Sequence, residues 1–326
     1  MNDTLPSVTV LIAARPDQAE VKAVAAARAL DYPPGRVEIL LARGKQPSVQ
    51  RNTGLRAARG ELIYFLDDDS VPRPDCLLRA AAHFANPAVK MAGGPNVCPR
   101  EAPVLEQVFA LVLASWLAFG PSRARYLPVG RVRPSSEKEL ILCNLVARRD
   151  ALLELGGFNE ALYPNEENAL MDTLQKQGGT LLYDPGLVVE RRPRSTLGSF
   201  ARMLRTYGRG RAEQFRECPT PGSALNFVPP LFCLYLIALP ALIWRAPGGN
   251  AWLAPLLLYA AAVLAQTLAL VPAGRLGPSL AAAPLIVLSH LLYGYGFWRG
   301  CFTRLRAARD RPAVAVTLEQ VRGLGQ

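Results

Sequence analysis

Apolar runs and helix-like segments alternate along the first part of the chain. Val8 to Ala13, Val37 to Leu41 and Leu62 to Leu66 are apolar and rich in strand-forming residues, which predicts buried strands. The segments between them, 18–30 and 48–59, have the length and composition of helices. Strands that alternate with helices through short connections are typical of a sheet covered by helices. The pattern therefore predicts an α/β fold with a mostly parallel sheet.

The pattern becomes less regular after the third predicted strand. We expect helices at 75–85 and 165–177, short strands at 89–93, 180–183 and 187–190, and further regular structure at 140–147. Val104 to Phe119 is strongly apolar but shorter than the roughly 20 residues that a membrane span needs. This stretch is expected to form a helix that packs on the sheet or lies at a membrane interface. A polar loop at 121–138 follows it.

The hydropathy rises sharply in the last third of the chain. Three apolar stretches, 226–244, 251–271 and 279–298, each have about the length that a bilayer requires, roughly 20 residues. A soluble domain of buried helices is the alternative, although such long stretches with few charges are unusual in water. The preceding segment, about 195–215, places apolar residues and arginines on opposite sides at helical spacing. That spacing predicts an interfacial helix on anionic lipid.

These patterns divide the chain into three expected parts. They are an α/β domain at 1–218, a membrane region at 219–300 and an Arg-rich tail at 301–326. The positive-inside rule places such a tail in the cytoplasm, whereas three full spans after a cytoplasmic domain would place it outside. Either one stretch is re-entrant or interfacial, or the tail is translocated despite its charge. The prolines of the first stretch make it the most irregular of the three.

Composition narrows the expected partners and the compartment. The chain has a net charge of +11 and is 50% hydrophobic, which favours an anionic membrane surface or a phosphate-bearing substrate. It contains no nucleic-acid-binding signature, so nucleic acid is not an expected partner. Its six cysteines form no C-x-x-C pair, which argues against zinc and against a disulfide framework. We expect reduced thiols, a cytoplasmic soluble part and no signal peptide.

Three consecutive carboxylates end the third predicted strand. Asp67, Asp68 and Asp69 follow the apolar run directly, so they are expected at the carboxyl edge of the sheet, where open α/β folds hold ligands. Adjacent negative charges repel one another unless a cation lies between them. Hard oxygen ligands suit Mg²⁺ or Mn²⁺, and Mg²⁺ usually binds together with substrate phosphates. A solvated acidic turn before Pro72 and Pro74 is the alternative interpretation.

Two later segments carry the remaining candidate chemistry. Glu166 and Glu167 begin the predicted helix at 165–177, where they could act on a substrate or simply complement the helix N-terminus. Glu190 ends the last predicted strand and precedes an arginine run. Its members are Arg191, Arg192, Arg194, Arg202, Arg205, Arg209 and Arg211. Such arginines could clamp a diphosphate or face anionic lipid, and the two uses are compatible.

The order of these segments resembles that of a family of glycosyltransferases. The matching segments are Val8–Arg15, Gln50–Gly54, Ala58–Asp69, Cys143–Arg149, Gly156–Phe158, Asn165–Glu167, Arg194–Ser195 and Tyr207–Arg211. Together they resemble an inverting family 2 glycosyltransferase with the GT-A fold, of the exopolysaccharide-assembly type with C-terminal membrane helices. The resemblance covers roughly residues 7 to 212 and depends on the ordered set rather than on one motif.

The resemblance implies specific roles. Asp69 would be the direct metal ligand and Asp67 would lie nearer the nucleotide, with Glu190 as a further ligand. Glu167 would be the base that takes a proton from the acceptor hydroxyl, and Glu166 is the alternative base. The expected donor-binding residues are Ala13, Arg15, Arg51, Asn52, Asp67, Asp68, Arg205, Arg209 and Arg211. The implied cofactor is Mg²⁺ or Mn²⁺, which would offset the charge of the leaving diphosphate.

The chain departs from the family pattern at three positions. Glu167 stands where the family usually has an aspartate, and Glu190 stands where many relatives have a histidine. Glu190 could instead form a salt bridge with Arg191 or Arg192. The second strand ends at Ala42 and Arg43, where the family commonly has an acid that reads the nucleotide base. The identity of the nucleoside therefore stays open.

The sequence predicts an inverting, metal-dependent glycosyltransferase on the cytoplasmic face of a bacterial-type inner membrane. Its donor would be a nucleoside-diphosphate sugar, and its acceptor a lipid-linked (polyprenyl) saccharide in polysaccharide or glycoconjugate synthesis. A polyprenyl-phosphate glycosyltransferase is a close alternative. A phosphatase of the haloacid dehalogenase type would also use Asp67 and Asp69, but it needs a later acidic motif that the sequence lacks. A non-enzymatic membrane scaffold is the third class.

Overall fold

The computed structural model describes residues 5–160, 165–217, 219, 221–245, 247–303 and 315–325. The chain forms two compact units. The α/β unit comprises residues 1–99, 124–192 and 306–326, and the helical unit comprises residues 100–123 and 193–305.

The α/β unit is built on an eight-stranded sheet. Its strands are β1 (Val8–Ala14), β2 (Val37–Arg43), β3 (Leu62–Asp67), β5 (Val89–Gly93), β7 (Arg133–Pro134), β8 (Asn144–Arg148), β9 (Thr180–Tyr183) and β11 (Thr317–Arg322). Their order is β11-β2-β1-β3-β8-β5-β9-β7. β1 pairs in parallel with β2 and with β3, whereas β8 is antiparallel to β3 and β5. A second sheet contains β4 (Val71–Pro72), β10 (Val189–Glu190) and β6 (Asn96–Val97) in the order β4-β10-β6.

Helices cover both faces of the large sheet. They are α1 (Lys22–Arg28), α2 (Pro47–Ala57), α3 (Cys76–His83), α6 (Arg149–Glu154) and α7 (Glu166–Lys176). Alternate residues of β1 enter different cores: Val10 packs with residues of α1 and α3, and Leu11 packs with residues of α2, α6 and α7. Each face of the sheet therefore buries its own apolar layer, and the predicted α/β fold is confirmed.

The last strand was not foreseen by the sequence analysis. β11 pairs antiparallel with β2, and Leu318 lies opposite Ala42. Glu319 accepts a hydrogen bond from Arg43 Nε at 2.6 Å. The predicted Arg-rich tail at 301–326 therefore contains an edge strand of the large sheet, while its residues 304–314 lie outside the described part of the chain.

The helical unit contains α4 (Val104–Leu113), α5 (Trp116–Phe119), α8 (Leu197–Glu217), α9 (Val228–Arg245), α10 (Ala254–Gly274) and α11 (Leu276–Phe302). The predicted single helix at 104–119 is broken, and the two arms, 104–113 and 116–125, are bent by 58°. Helices at 224–245, 249–274 and 276–302 are long and apolar enough to cross a membrane. They coincide with the three apolar stretches that the hydropathy predicts.

Candidate active site

The site is built at the carboxyl edge of β1 and β3. Asp67 is the last residue of β3 and lies beside Ala13 of β1 in the parallel register. A tight turn follows, in which Ser70 donates its backbone N–H to the Asp67 carbonyl at 3.1 Å. Ser70 Oγ in turn accepts from the Asp67 N–H and donates to the Cys143 carbonyl. This turn fixes the direction in which the three carboxylates leave the sheet.

Arg51 joins two of the predicted acidic groups. It lies on α2 and is buried, with only 7% of its surface exposed. Its Nη2 donates to Asp67 Oδ1 at 2.9 Å, and its Nη1 donates to Glu166 Oε1 at 3.1 Å. The first turn of α7 is thereby tied to the end of β3, because one planar guanidinium serves both carboxylates.

Arg191 connects the remaining carboxylates of the edge. It follows β10 and lies 2.6 Å from Asp69 Oδ1 and 3.1 Å from Asp67 Oδ2. Desolvation acts to lower the pKa of Arg191, but the charges of Asp67 and Asp69 raise it well above the ordinary value. The guanidinium therefore stays charged, and a continuous ionic chain runs from Glu166 through Arg51, Asp67 and Arg191 to Asp69.

The two acids at the start of α7 have different environments. Glu166 is 2% exposed, whereas Glu167 is only partly buried. Burial, with the neighbouring charge of Glu167, raises the pKa of Glu166 to about 7 against the opposing effect of Arg51. Glu166 is held inside the protein by Arg51, and Glu167 is the acid of the pair with surface that a substrate could reach.

The start of α7 is held in place by buried polar side chains. Asn165 precedes the helix with a left-handed backbone, φ 104°, and its Oδ1 accepts from Asn168 Nδ2 at 2.9 Å. Asn168 Oδ1 also accepts from Arg125 Nη2 at 2.7 Å. An Asn tolerates this backbone region better than most residues, which accounts for the polar residue at this position. These contacts orient the turn that carries both glutamates.

Asn52 of α2 holds the neighbouring turn in place. Its Nδ2 donates to the Phe158 carbonyl and to Glu160 Oε1, each at 2.9 Å, and its Oδ1 accepts from the Phe158 N–H at 2.8 Å. The predicted turn at Gly156 to Phe158 is thus fixed to α2. The expected contact of Asn52 with the donor is not needed to explain this side chain, because its hydrogen bonds are made to the turn.

Glu190 does not join Asp67 and Asp69. Among the described residues no group of three or more His, Cys, Asp or Glu side chains is arranged to hold a metal ion. The Glu190 residue is exposed on β10, and it is the next residue, Arg191, that reaches the two aspartates. The predicted three-carboxylate set is therefore not formed.

The two remaining carboxylates still fit a hard divalent cation. Asp67 and Asp69 supply oxygen only, and Mg²⁺ is commonly held by one or two carboxylates with substrate phosphates. The Asp69 side chain is 41% exposed and that of Asp67 is 22% exposed, so Asp69 is presented more openly. The role of Asp69 as the direct ligand stays a prediction.

The other predicted donor-binding residues lie in different places. Ala13 lies at the carboxyl edge beside Asp67, Asp68 is half-buried within the acidic turn, and Arg15 is exposed just after β1. Arg205, Arg209 and Arg211 all lie on α8 in the helical unit. There Arg209 pairs with Glu213, and Arg211 donates to Gln214.

Three supporting residues were missed by the sequence analysis. Gln50 Nε2 donates to the carbonyls of Ala14 and Ala42, each at 2.7 Å, and so fixes the ends of β1 and β2. Asn144 accepts from the Tyr64 hydroxyl and donates to the Leu187 carbonyl. The sequence analysis placed Arg191 in an arginine run and beside Glu190 as a pairing partner, and did not connect it with Asp67 or Asp69. Gln50 and Asn144 lie inside segments that match the glycosyltransferase family, which was the one sequence signal that could have found them. That signal does not indicate which groups they hydrogen-bond.

The fold resembles that of the GT-A glycosyltransferases. The structure is similar to a mannosyltransferase from Pyrobaculum calidifontis solved in complex with GDP-Man and Mn²⁺, with a TM-score of 0.53 over 91% of this chain and 89% of that one. At 20% identity this likeness shows the fold alone. The model of glycosyl transferase family group 2 matches residues 62–298, and the chain belongs to that family.

Curated relatives match part of the chain. A pre-mycofactocin glycosyltransferase from two strains of Mycobacterium tuberculosis, CDC 1551 / Oshkosh and ATCC 25618 / H37Rv, is 31% identical over 170 residues. The match covers 50% of this chain and 34% of the relative. The chain thus spans about a third of the length of the curated relatives it matches.

Proposed function

We propose that the protein is an inverting, metal-dependent glycosyltransferase that moves a sugar from a nucleoside-diphosphate donor to a lipid-linked saccharide. The observation that supports this most directly is the joining of Asp67 and Glu166 by Arg51. Through Arg51, the carboxylate end of β3, where we expect the donor diphosphate, is connected to the start of α7, which carries the expected base. Such a constellation suits a displacement in which a base and a leaving-group site must be held in fixed geometry.

In the proposed reaction, Glu167 accepts the proton of the acceptor hydroxyl while that oxygen attacks the anomeric carbon of the donor sugar. The bond from the anomeric carbon to the diphosphate oxygen breaks, and the electron pair leaves with the nucleoside diphosphate. Attack opposite the leaving group inverts the anomeric configuration. Glu166, paired with Arg51, holds the start of α7 and is the alternative base.

Asp69 and Asp67 would hold Mg²⁺ or Mn²⁺ in this proposal. The bound cation would supply charge that offsets the leaving diphosphate. The GDP-Man and Mn²⁺ of the Pyrobaculum mannosyltransferase complex support a nucleotide-sugar donor and a divalent cation. Arg191 contacts both aspartates, so it is placed to hold them and to add positive charge at the same edge.

The three long apolar helices support membrane association and hence a lipid-linked acceptor. We place the α/β unit on the cytoplasmic face of a bacterial-type inner membrane. The Arg205, Arg209 and Arg211 side chains of α8 are proposed to meet a phosphate, either of the donor or of the acceptor lipid. A sugar-bearing lipid acceptor belongs to polysaccharide or glycoconjugate synthesis.

Binding of nucleoside diphosphates to the detergent-solubilised full chain tests this function. UDP, GDP, CDP and dTDP would each be titrated with and without Mn²⁺, for the wild type and for Asp69→Ala. We expect Mn²⁺-dependent binding of one nucleotide, and its loss in Asp69→Ala. Asp31→Ala removes an exposed carboxylate before β2 and is the matched control. Metal-independent binding, or unchanged affinity in Asp69→Ala, would remove the metal assignment.

Product formation then tests the acceptor. Polyprenyl phosphate and a polyprenyl-diphosphate saccharide would be compared with the same radiolabelled donor. Transfer to the saccharide supports the proposal. Transfer to polyprenyl phosphate alone would assign the protein to the polyprenyl-phosphate glycosyltransferases instead.

A further inference from the structure

The chain leaves the α/β unit twice and returns to it twice. The first excursion comprises residues 100–123 and the second comprises residues 193–305. A folded α/β sheet with polar loops cannot straddle a bilayer, because unpaired backbone groups are too costly in hydrocarbon. If the helical unit is embedded in a membrane, each excursion must therefore begin and end on the same side.

After the second excursion the chain returns to the α/β unit as β11, which is part of its sheet. Its residues Leu318, Glu319 and Gln320 pair with successive residues of β2, Ala42, Leu41 and Leu40. Beyond the strand, the Gly325 N–H donates to the Gly35 carbonyl at 2.9 Å. Leu318 and Val321 pack against the two cores on opposite faces of the sheet. The C-terminal segment is thus an integral edge strand of the α/β unit.

The first excursion lies between β5 and β7 of the same sheet, so its bent helix pair, 104–113 and 116–125, makes no net crossing. Its α4 has 10 residues, about 15 Å of helix, against a hydrocarbon core of roughly 30 Å. Just after the break, in α5, the Leu117 N–H donates to Gln266 Oε1 at 3.1 Å. The Leu117 carbonyl accepts a hydrogen bond from His290 Nε2 at 2.9 Å. Side chains of α10 and α11 thus satisfy the backbone groups freed by the bend. Irregular backbone at membrane depth is tolerated where protein satisfies it in this way.

The end of α11 packs closely on α8. A Cβ atom at Gly208 of α8 would overlap the Tyr293 carbonyl oxygen of α11, and one at Gly296 of α11 would overlap the Arg205 carbonyl. Arg216 Nη1 also donates to the Gly300 carbonyl at 3.0 Å and to the Thr303 carbonyl at 2.5 Å. The arginines on α8 are incompatible with a span, so the end of α11 lies at the polar level of an interfacial helix.

We infer that the three long apolar helices cross the bilayer an even number of times, at most two. The C-terminal strand and the α/β unit then lie on one side, and at least one of the helices 224–245, 249–274 and 276–302 does not cross. By sequence, residues 304–314 contain four arginines and one aspartate, a composition that does not suit a bilayer span. The inference removes the conflict between the charged tail and three full spans, because the tail and the arginines of α8 share a side.

This inference rests on the membrane association put forward under Proposed function, and cysteine labelling tests it. In a cysteine-free full-length background, Asp31→Cys reports on the α/β unit and Thr317→Cys reports on β11; both positions are exposed. Sealed inner-membrane vesicles would be treated with a membrane-impermeant maleimide, before and after permeabilisation. We expect the two cysteines to be labelled from the same side. Labelling from opposite sides would overturn the inference.

Carbonate extraction of the same vesicles separates the two proposals. Release of the chain by carbonate would overturn membrane embedding and with it the even count of crossings. Retention with opposite-side labelling would overturn the count alone. If the cysteine-free background fails to fold, a C-terminal epitope on the wild-type chain replaces it. Protease should remove that epitope only from vesicles in which the α/β unit is also cleaved.

Discussion

Arg51 and Glu166 form a buried ion pair, with Nη1 of Arg51 lying 3.1 Å from Oε1 of Glu166. The same guanidinium reaches Asp67 at 2.9 Å through Nη2. Arg51→Lys keeps the charge but replaces a planar fork with a single ammonium, which cannot hold both carboxylates in the same geometry. We expect turnover to fall by about 100-fold, because displacements of about 1 Å at a site can have effects of that size.

Steady-state kinetics and donor titration would check the Arg51 prediction. The expected signature is a fall in kcat with a smaller change in donor affinity. Arg56→Lys, an exposed change on the same helix, is the control and should keep wild-type rates. Wild-type turnover in Arg51→Lys would show that the bridge does not position the site.

Glu167→Gln should lower turnover by about 10²- to 10⁴-fold and keep donor binding. The amide cannot accept the acceptor proton, and general base catalysis typically contributes about 10² to 10⁴ in rate. Single-turnover transfer assays with a nucleotide-binding assay would measure the two effects separately. Glu154→Gln, at an exposed position, serves as the control. Retained turnover in Glu167→Gln together with its loss in Glu166→Gln would move the base to Glu166.

Glu166 should make stability depend on pH. Its pKa is raised from 4.5 to about 7 in the folded protein, so the folded state binds the proton more tightly than the unfolded chain does. Stability should therefore fall as pH rises between these two values, by at most about 1.4 kcal/mol per pH unit from this group, and stay lower above pH 7. Thermal unfolding across pH 5 to 8 would measure this slope. Glu166→Gln should make the slope shallower, and an unchanged slope would contradict the prediction.

Gly157→Ala should destabilise the α/β unit more than Gly156→Ala. Both glycines have positive φ, 81° and 75°, so either alanine carries a backbone cost of about 1–2 kcal/mol. Only at Gly157 would the new Cβ overlap Asn52 Oδ1, whereas nothing lies within 4 Å of a Cβ at Gly156. The difference between the two variants, measured by chemical denaturation, isolates the contact with Asn52. An equal loss of stability in the two variants would show that the Asn52 side chain moves away from the new Cβ at no cost in free energy.

Local sequence was sufficient for the central strands. β1, β2 and β3 were predicted to within two residues at each end, because buried parallel strands appear as short apolar runs. The break within 104–119 was not predicted, since the apolar pattern continues through it. Near the bend, the backbone of Leu117 is hydrogen-bonded to His290 and Gln266, two side chains distant in sequence that the apolar pattern does not connect with it.

β11 shows a different limit of the sequence. None of its residues is buried, and an edge strand paired along one side only lacks the apolar run that marks β3. Its pairing with β2 joins residues nearly the whole chain apart, a relation that no local periodicity contains. The Arg-rich composition around it indicated only a tail.

The α/β class, the acidic end of β3, the two glutamates that begin α7 and the apolar helices could all be predicted, because each is a property of neighbouring residues. Which charges meet depends on how the chain folds in space. Arg51 reaches Asp67 and Glu166, and Arg191 rather than Glu190 reaches Asp69, because crossing elements bring these side chains within hydrogen-bond distance. An ion pair requires two charges to lie within a few ångströms of each other, and the number of residues between them in the sequence does not reveal that distance.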